Sequence, residues 1–319
     1  MKLATAGLGD AGDRVGLVEG DAFHPFPDGL TMRAVIDGGL ERAHQLAAQA
    51  RSEDPVPLAQ VELRVPLEPA AVRDFVAFEE HVEGVRRSVD GATGVPEAWY
   101  DAPTFYFTNP HTVIATGQPV AFPATSVARD FELEVALVVG KAGQSLTASE
   151  AVDHIFGFML MNDWSARDIQ SAEMKVGLGP AKGKDFATTL GPWIVTVDEL
   201  AEHLDEDGFL DLEATVSVNG VEVGRDLMSH MGWGFTTLLA YASRDSRVRA
   251  GDVLGSGTTG GGGCLAELWG RRGRQDPPPL RDGDVVEISV QGMGSIQNVV
   301  ATAAPAPTLP PVRRRVTQS

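Results

Sequence analysis

A single cysteine, Cys264, occurs in 319 residues, which excludes an intramolecular disulfide framework and any zinc ribbon or paired-thiol redox motif. Positive charge is scarce as well: 26 Lys plus Arg stand against 44 Asp plus Glu, a formal net charge of -18. Duplex binding relies on Lys and Arg to neutralise phosphates, so nucleic acid is excluded as a partner, and small molecules or metal cations suit the chain better. Long apolar runs are missing. Residues 1–16 lack an apolar leader segment, and the most apolar stretch, 155–161, is far too short to span a bilayer. The expectation is a cytoplasmic protein that enters no membrane. What is present is 43% hydrophobic residues with 22% charged, enough for a sizeable core in one large domain or two modest ones.

Alternating residues around turn signals at 14–35 predict small hairpins, 40–51 a helix, and Asp54-Pro55-Val56-Pro57 a linker. A small N-terminal α+β domain is therefore expected over 1–67. Residues 70–88 carry Val72, Phe75, Val76, Phe78, Val82 and Val85 at helical spacing. From about 104 strands dominate, with candidates at 104–107, 131–139, 157–162, 192–197, 212–218 and 285–291. Thr147 to Glu150 has capping-box spacing ahead of a short helix, and 226–243 has the pattern of a longer one. Many strands with scattered helices predict an α+β, mostly β fold, closed or rolled, for a main domain at 68–302. Four prolines and three arginines from 303 onward predict a flexible tail over 303–319.

The sharpest local anomaly is Glu132 and Glu134, two residues apart in an otherwise apolar strand, where period 2 puts both on one face. Buried together they need a cation or a proton; on a wet face they would simply be solvated. The apolar run 155–161 ends in Asn162-Asp163-Trp164-Ser165-Ala166-Arg167-Asp168-Ile169-Gln170. If Asp163 converges on the two glutamates, the result is a hard oxygen site for Mg²⁺, Mn²⁺ or Ca²⁺; otherwise Asp163 and Asp168 cap a helix. On a helix over 70–88, Asp74 and His81 lie two turns apart, about 10 Å along one face. An acid and a general base would point the same way, unless His81 is a lone surface histidine. Gly179 to Asp185 lacks the spacing of a nucleotide P-loop, Asp205 to Gly208 imitates only part of an EF-hand, and the glycines of 255–263 allow close backbone approach to a ligand or form plain turns.

The run 161–170, MNDWSARDIQ, resembles the signature of the fumarylacetoacetate hydrolase family. The order around it matches as well, with Glu132-Leu133-Glu134 before it, Gly183-Lys184-Asp185-Phe186-Ala187-Thr188-Thr189 after it, and Gly255-Ser256-Gly257-Thr258 then Glu267 near the end. The likeness covers roughly residues 70–302 and implies the mixed β-sandwich roll of that family's C-terminal domain. Carried over, it makes Asp74, Glu132, Glu134 and Asp163 carboxylates for a divalent metal, Mg²⁺ first and Mn²⁺ or Ca²⁺ next. It makes His81 the general base oriented by Glu267, and gives Arg167, Gln170, Lys184 and Thr258 the substrate's oxygens, Lys184 and Gln170 serving the oxyanion. The implied partners are a small keto-acid substrate and a second copy in a homodimer. The implied reaction is hydrolysis of a carbon–carbon bond in a β-diketo acid, fumarylacetoacetate-like or acylpyruvate-like, with 2-keto acid lyase or isomerase chemistry as the alternative within the family. Phe78 stands where the acylpyruvase and decarboxylase branch has its histidine, which favours the C–C hydrolase branch. Val76 stands where true fumarylacetoacetate enzymes have a substrate-binding tyrosine, and Met174-Lys175 replaces another aromatic position.

Overall fold

The computed structural model describes residues 1–89 and 91–315 of the chain. Its backbone is organised by one mixed sheet of twelve strands. Along the main path the order is Val56–Pro57, Ala22–Pro25, Asp13–Glu19, Lys2–Gly7, Thr188–Thr196, Ile155–Asp163, Leu133–Val139, Val253–Gly255, Val72–Phe75 and Phe105–Thr108. A second, five-stranded sheet is built from Val221–Leu227, Glu213–Val218, Val285–Val290, Gly294–Thr302 and Val120–Phe122. The fold is mostly β, with short helices set around the sheets. Among the described residues no helix is long and apolar enough to cross a membrane.

The central strands Leu133–Val139 and Ile155–Asp163 are buried at every position, which explains their near-continuous apolar composition. One core lies toward the five-stranded sheet and includes Phe158, Phe235, Val216 and Ile288. The other lies beneath the N-terminal helices Met32–Asp37 and Gly39–Ala50 and includes Leu3, Val35, Leu46 and Met159. The strands of the first 67 residues join the same sheet, because Lys2 and Leu3 pair with Val195 and Ile194. Val56–Pro57, expected as a linker, is the edge strand of that sheet. Residues 303–315 form no helix or strand; 316–319 of the expected tail lie outside the described residues.

Two helical expectations are corrected. Residues 70–88 are not one helix: Val72–Phe75 is a strand, and the helix begins only at Glu79. Val72–Phe75 sits between Val253–Gly255, to which it is parallel, and Phe105–Thr108, to which it is antiparallel. Two sheet partners outweigh the helical spacing of its apolar side chains. Asp74 and His81 therefore do not share a helix face. Likewise 226–243 divides into the end of Val221–Leu227, a short 3₁₀ turn, and the helix Phe235–Ser243. The capped short helix after Thr147 is present, with both reciprocal bonds to Glu150.

Candidate active site

Sheet register gathers the acidic residues at one end of the central strands. Asp74 lies opposite Gly255 on one side and Tyr106 on the other, while Glu134 pairs with Met161 and Asp163 with Thr188. Asp74, Glu132 and Glu134 each bring a carboxylate oxygen within 4.8 Å of the others, all buried. Gly255 makes this convergence possible: a Cβ there would stand 2.6 Å from Asp74 Oδ1 and 2.9 Å from Glu134 Oε2. Asp163 adjoins the trio through Lys184, whose ammonium donates to Asp163 Oδ2 at 2.7 Å and to Glu132 Oε2. The Tyr106 hydroxyl also donates to Asp163 Oδ2.

The charges explain what the cluster needs. Burial, then the neighbouring Asp163, pushes Asp74 well above the usual carboxylate range, and burial with Asp74 does the same to Glu134. Glu132 behaves oppositely: burial would raise it, but Lys184 and Arg167 overcome that and hold it down to about 2. Asp163 is raised by burial, which Lys184 only partly offsets. Asp74 Oδ1, Glu134 Oε2 and Asp163 Oδ1 are buried without any hydrogen-bond partner. Buried lone pairs left unpaired on ionisable oxygens are costly, and a hard divalent cation is the ligand that oxygen donors of this kind accept. The donor set therefore fits a divalent metal.

His81 enters from the helix Glu79–Val89 and Glu267 from Leu265–Arg272. These helices cross closely because Gly84 and Gly270 face each other; a Cβ on Gly84 would meet Glu267 Cγ at 2.5 Å, and one on Gly270 would meet the Gly84 carbonyl. His81 Nδ1 lies 3.9 Å from Glu267 Oε2 and 3.7 Å from Cys264 Sγ. Burial pushes His81 down to about 3, so its ring is neutral near pH 7. Burial pushes Glu267 up to about 7, against the opposing pull of Arg271 and the Gly262 N–H. The Gly262 N–H donates to Glu267 Oε1 at 3.0 Å and Arg271 lies 2.5 Å from the same oxygen, leaving Oε2 unpartnered toward the histidine.

Arg167 is buried and bonded inward. Its Nε donates to Asp130 Oδ2 at 2.8 Å, its Nη1 to Gln170 Oε1 at 3.1 Å, and its Nη2 lies 2.8 Å from Glu132 Oε1. Asp130 in turn accepts the backbone N–H groups of Leu265 and Ala266, anchoring the start of the Glu267 helix. Arg167 thus reaches the site through Glu132 and the half-buried Gln170. Thr258 Oγ1 lies 3.5 Å from Glu134 Oε1. All ten residues singled out in the sequence fall in this one region. The glycines of 255–263, read as allowing close backbone approach, include Gly255, which gives that approach to two carboxylates. Tyr106, Asp130 and Gly84 were missed; for Tyr106 the available signal was a lone polar-tipped residue in the aromatic strand Phe105–Thr108.

Residues 70–301 match the family model for the fumarylacetoacetate (FAA) hydrolase C-terminal domain. The fumarylacetoacetase of Arabidopsis thaliana is 32% identical over 257 residues, covering 66% of this chain and 61% of its own length, so the chain spans about three fifths of that relative. A 5-carboxymethyl-2-hydroxymuconate delta-isomerase from Mycobacterium smegmatis superimposes with a TM-score of 0.67 at 25% identity, covering 95% of this chain and all of that one. The fold is shared as well with a maleylpyruvate hydrolase from Sphingobium sp. SYK-6, in complex with manganese(II) and pyruvate, at a TM-score of 0.69, 22% identity, and 95% and 100% coverage. With the family model spanning most of the chain and the acidic cluster lying within it, the chain belongs to the fumarylacetoacetate hydrolase family.

Proposed function

We propose that the protein is a divalent-metal-dependent hydrolase that cleaves a carbon–carbon bond in a β-diketo acid. The observation that carries this reading is the buried Asp74, Glu132 and Glu134 trio, with unpartnered oxygens on Asp74 and Glu134, beside a neutral histidine that faces the Glu267 carboxylate. Asp74, Glu132 and Glu134, with Asp163 at their edge, would hold the cation; Mg²⁺ is the first candidate, and the manganese and pyruvate in the Sphingobium relative support a divalent ion and a 2-keto acid. When bound, the cation supplies Lewis-acid stabilisation of the substrate's enolate oxygens.

The remaining chemistry falls to this chain's side chains. His81 turns Nδ1 toward Cys264 Sγ and the Glu267 carboxylate, and Nε2 would take a proton from water. The water oxygen then attacks the acyl carbonyl, the bond to the methylene breaks, and the electron pair left on that carbon takes up a proton, so that two acids result. Lys184 stays fully charged: burial opposes this, but Asp163 and Glu132 raise its ammonium above the ordinary range. It supplies a fixed positive charge for the tetrahedral oxyanion, and Gln170 offers its amide N–H₂ while Arg167 engages its carbonyl oxygen. Arg167 acts as a positioning residue for Glu132 and Gln170, and Thr258 for Glu134.

The likeness to an isomerase at 25% identity supports a second reading, tautomerisation or another lyase-type step at the same centre. The test is to incubate metal-stripped and Mg²⁺- or Mn²⁺-loaded protein with 2,4-diketo acids and to identify the products by mass spectrometry. Two acids formed only with metal support the hydrolase; a rearranged or decarboxylated single product supports the second reading. Assembly as a homodimer is proposed alongside, and sedimentation at micromolar concentration tests it.

A further inference from the structure

Glu267 is fully buried, yet one of its two oxygens is tied to the surface. Arg271, exposed and one turn further along the helix Leu265–Arg272, brings Nη2 to 2.5 Å from Glu267 Oε1, and the same Nη2 donates to Glu80 Oε1. Glu80 is exposed as well and directly precedes His81 on the helix Glu79–Val89. One guanidinium nitrogen therefore serves two carboxylates, one turned to the histidine and one turned to water. The backbone fixes this arrangement. Gly261 and Gly262 offer consecutive N–H groups, the first to Glu80 Oε2 at 3.2 Å and the second to Glu267 Oε1 at 3.0 Å.

The other titratable groups around Glu267 come from the elements packed against it. His81 Nδ1 stands 3.9 Å from Oε2, and Cys264 Sγ accepts the Glu267 backbone N–H at 3.4 Å. Asp226, on the strand Val221–Leu227 and bonded to His230, converges with Glu80 on Gly260. Burial is the largest influence on Glu267 and opposes its charge; Arg271 comes next and favours it, while Glu80 and Asp226 work against it. With Oε1 taken by Arg271 and the Gly262 N–H, Oε2 is the oxygen left to the histidine. We propose, resting on the His81–Glu267 pairing of the hydrolase reading above, that Arg271 is a positioning residue: it clamps Glu267 so that the free oxygen faces His81, and Glu80 sets how much of its charge Glu267 receives.

The experiment compares the Mg²⁺-loaded wild type with Arg271→Gln, Arg271→Lys and Glu80→Gln. The pH profile of kcat on a 2,4-diketo acid is recorded for each, and the Glu267 carboxyl is titrated by ¹³C NMR of glutamate-labelled protein, its signal identified by its absence from Glu267→Gln. An opposite charge a few ångströms away ordinarily moves a carboxyl by about 1–3 pH units, and solvent screening of the exposed Arg271 keeps the effect at the low end. In Arg271→Gln the midpoint should therefore rise by about one pH unit. The kcat at pH 7 should then fall about fivefold and recover by about pH 9, with KM and Mg²⁺ affinity unaltered. Arg271→Lys, which restores a cation, should bring the midpoint back toward the wild-type value. Glu80→Gln should lower the midpoint and raise kcat below pH 7, because Arg271 then serves one carboxylate alone. Midpoints equal to wild type in both Gln variants, or a rate loss in Arg271→Gln that is the same at every pH, as a merely structural arginine would give, would overturn the proposal. If the NMR midpoints move as expected but the wild type forms no pair of acids, the role of Arg271 toward Glu267 stands and the hydrolase reading fails. Two acids from the wild type with unmoved midpoints leave the hydrolase reading intact and sink the role of Arg271.

Discussion

Gly255→Ala is the most informative perturbation of the acidic cluster. Gly255 is not among the residues with positive φ, so alanine imposes no backbone strain and its effect is purely steric. The new methyl would lie 2.6 Å from Asp74 Oδ1, 2.9 Å from Glu134 Oε2 and 3.0 Å from Met161 Cε. To restore even a 3.0 Å contact, Asp74 Oδ1 must retreat by about 0.4 Å. Metal–oxygen distances tolerate only about 0.2 Å of error, and disturbing the shell around ligands typically costs 10–100-fold in affinity. Mn²⁺ affinity of Gly255→Ala should therefore fall by about that factor, measured by calorimetry or by the resonance signal of free Mn²⁺. Metal-free melting serves as the control, with an overpacking cost of roughly 1–3 kcal/mol as its upper range. An unaltered Mn²⁺ affinity in a folded variant would refute the assignment of Asp74 and Glu134 as ligands.

Further outcomes follow from the same geometry. His81→Ala should lose about 10²–10⁴ in kcat while its Mn²⁺ affinity holds, and normal turnover would remove His81 from the mechanism. Glu267 titrates near 7 in the folded chain against an ordinary 4.5, so kcat should rise with pH through about 7 as the carboxylate ionises and strengthens His81 as a base. Its effect on stability has the opposite sign: between about 4.5 and 7 the folded state keeps a proton the unfolded state has lost, so this contribution falls as pH rises. Glu267→Gln should flatten both profiles, and a wild-type pH profile in that variant would contradict the pairing. Gly84→Ala should destabilise by roughly 1–3 kcal/mol in denaturant melts, although Gly to Ala inside a helix ordinarily stabilises, because the new methyl would strike Glu267. Saturating Mg²⁺ or Mn²⁺ at 100 times its Kd should add about 2.7 kcal/mol to stability, and an unmoved Tm at that excess would count against a native-state metal site.

Much of this site was legible in the sequence, unevenly. Glu132 and Glu134 announce themselves because two carboxylates in an apolar run demand a reason, and the structure gives both of them the same buried cluster. Asp74 and His81 were singled out together, but through the wrong geometry: their relation comes from a strand flanked by two others and a helix that starts at Glu79, not from one helical face. Glu267, without the family likeness, reads as an ordinary strand residue, whereas it lies on the helix Leu265–Arg272; its place in the site depends on two glycines that let distant helices meet. Gly84 acts by lacking a side chain, and Asp130 by capping a helix 135 residues away, so no local pattern marks them; Gly255 was visible only as part of a glycine-rich run, not as the close neighbour of two carboxylates. The sheet order was equally hidden, since Lys2–Gly7 finds its partner in Thr188–Thr196 nearly two hundred residues on.

The central claim is metal-dependent hydrolytic cleavage at this centre, and one measurement addresses it directly. Metal-stripped protein is reloaded with Mn²⁺ in ¹⁸O-labelled water, given a pentanoyl-armed 2,4-diketo acid, and its products are weighed by mass spectrometry. The account predicts pyruvate and pentanoate, with one label in the pentanoate carboxylate, formed by the loaded protein and not by the stripped one. Equal turnover without metal, or a single unlabelled isomer in place of two acids, would contradict it.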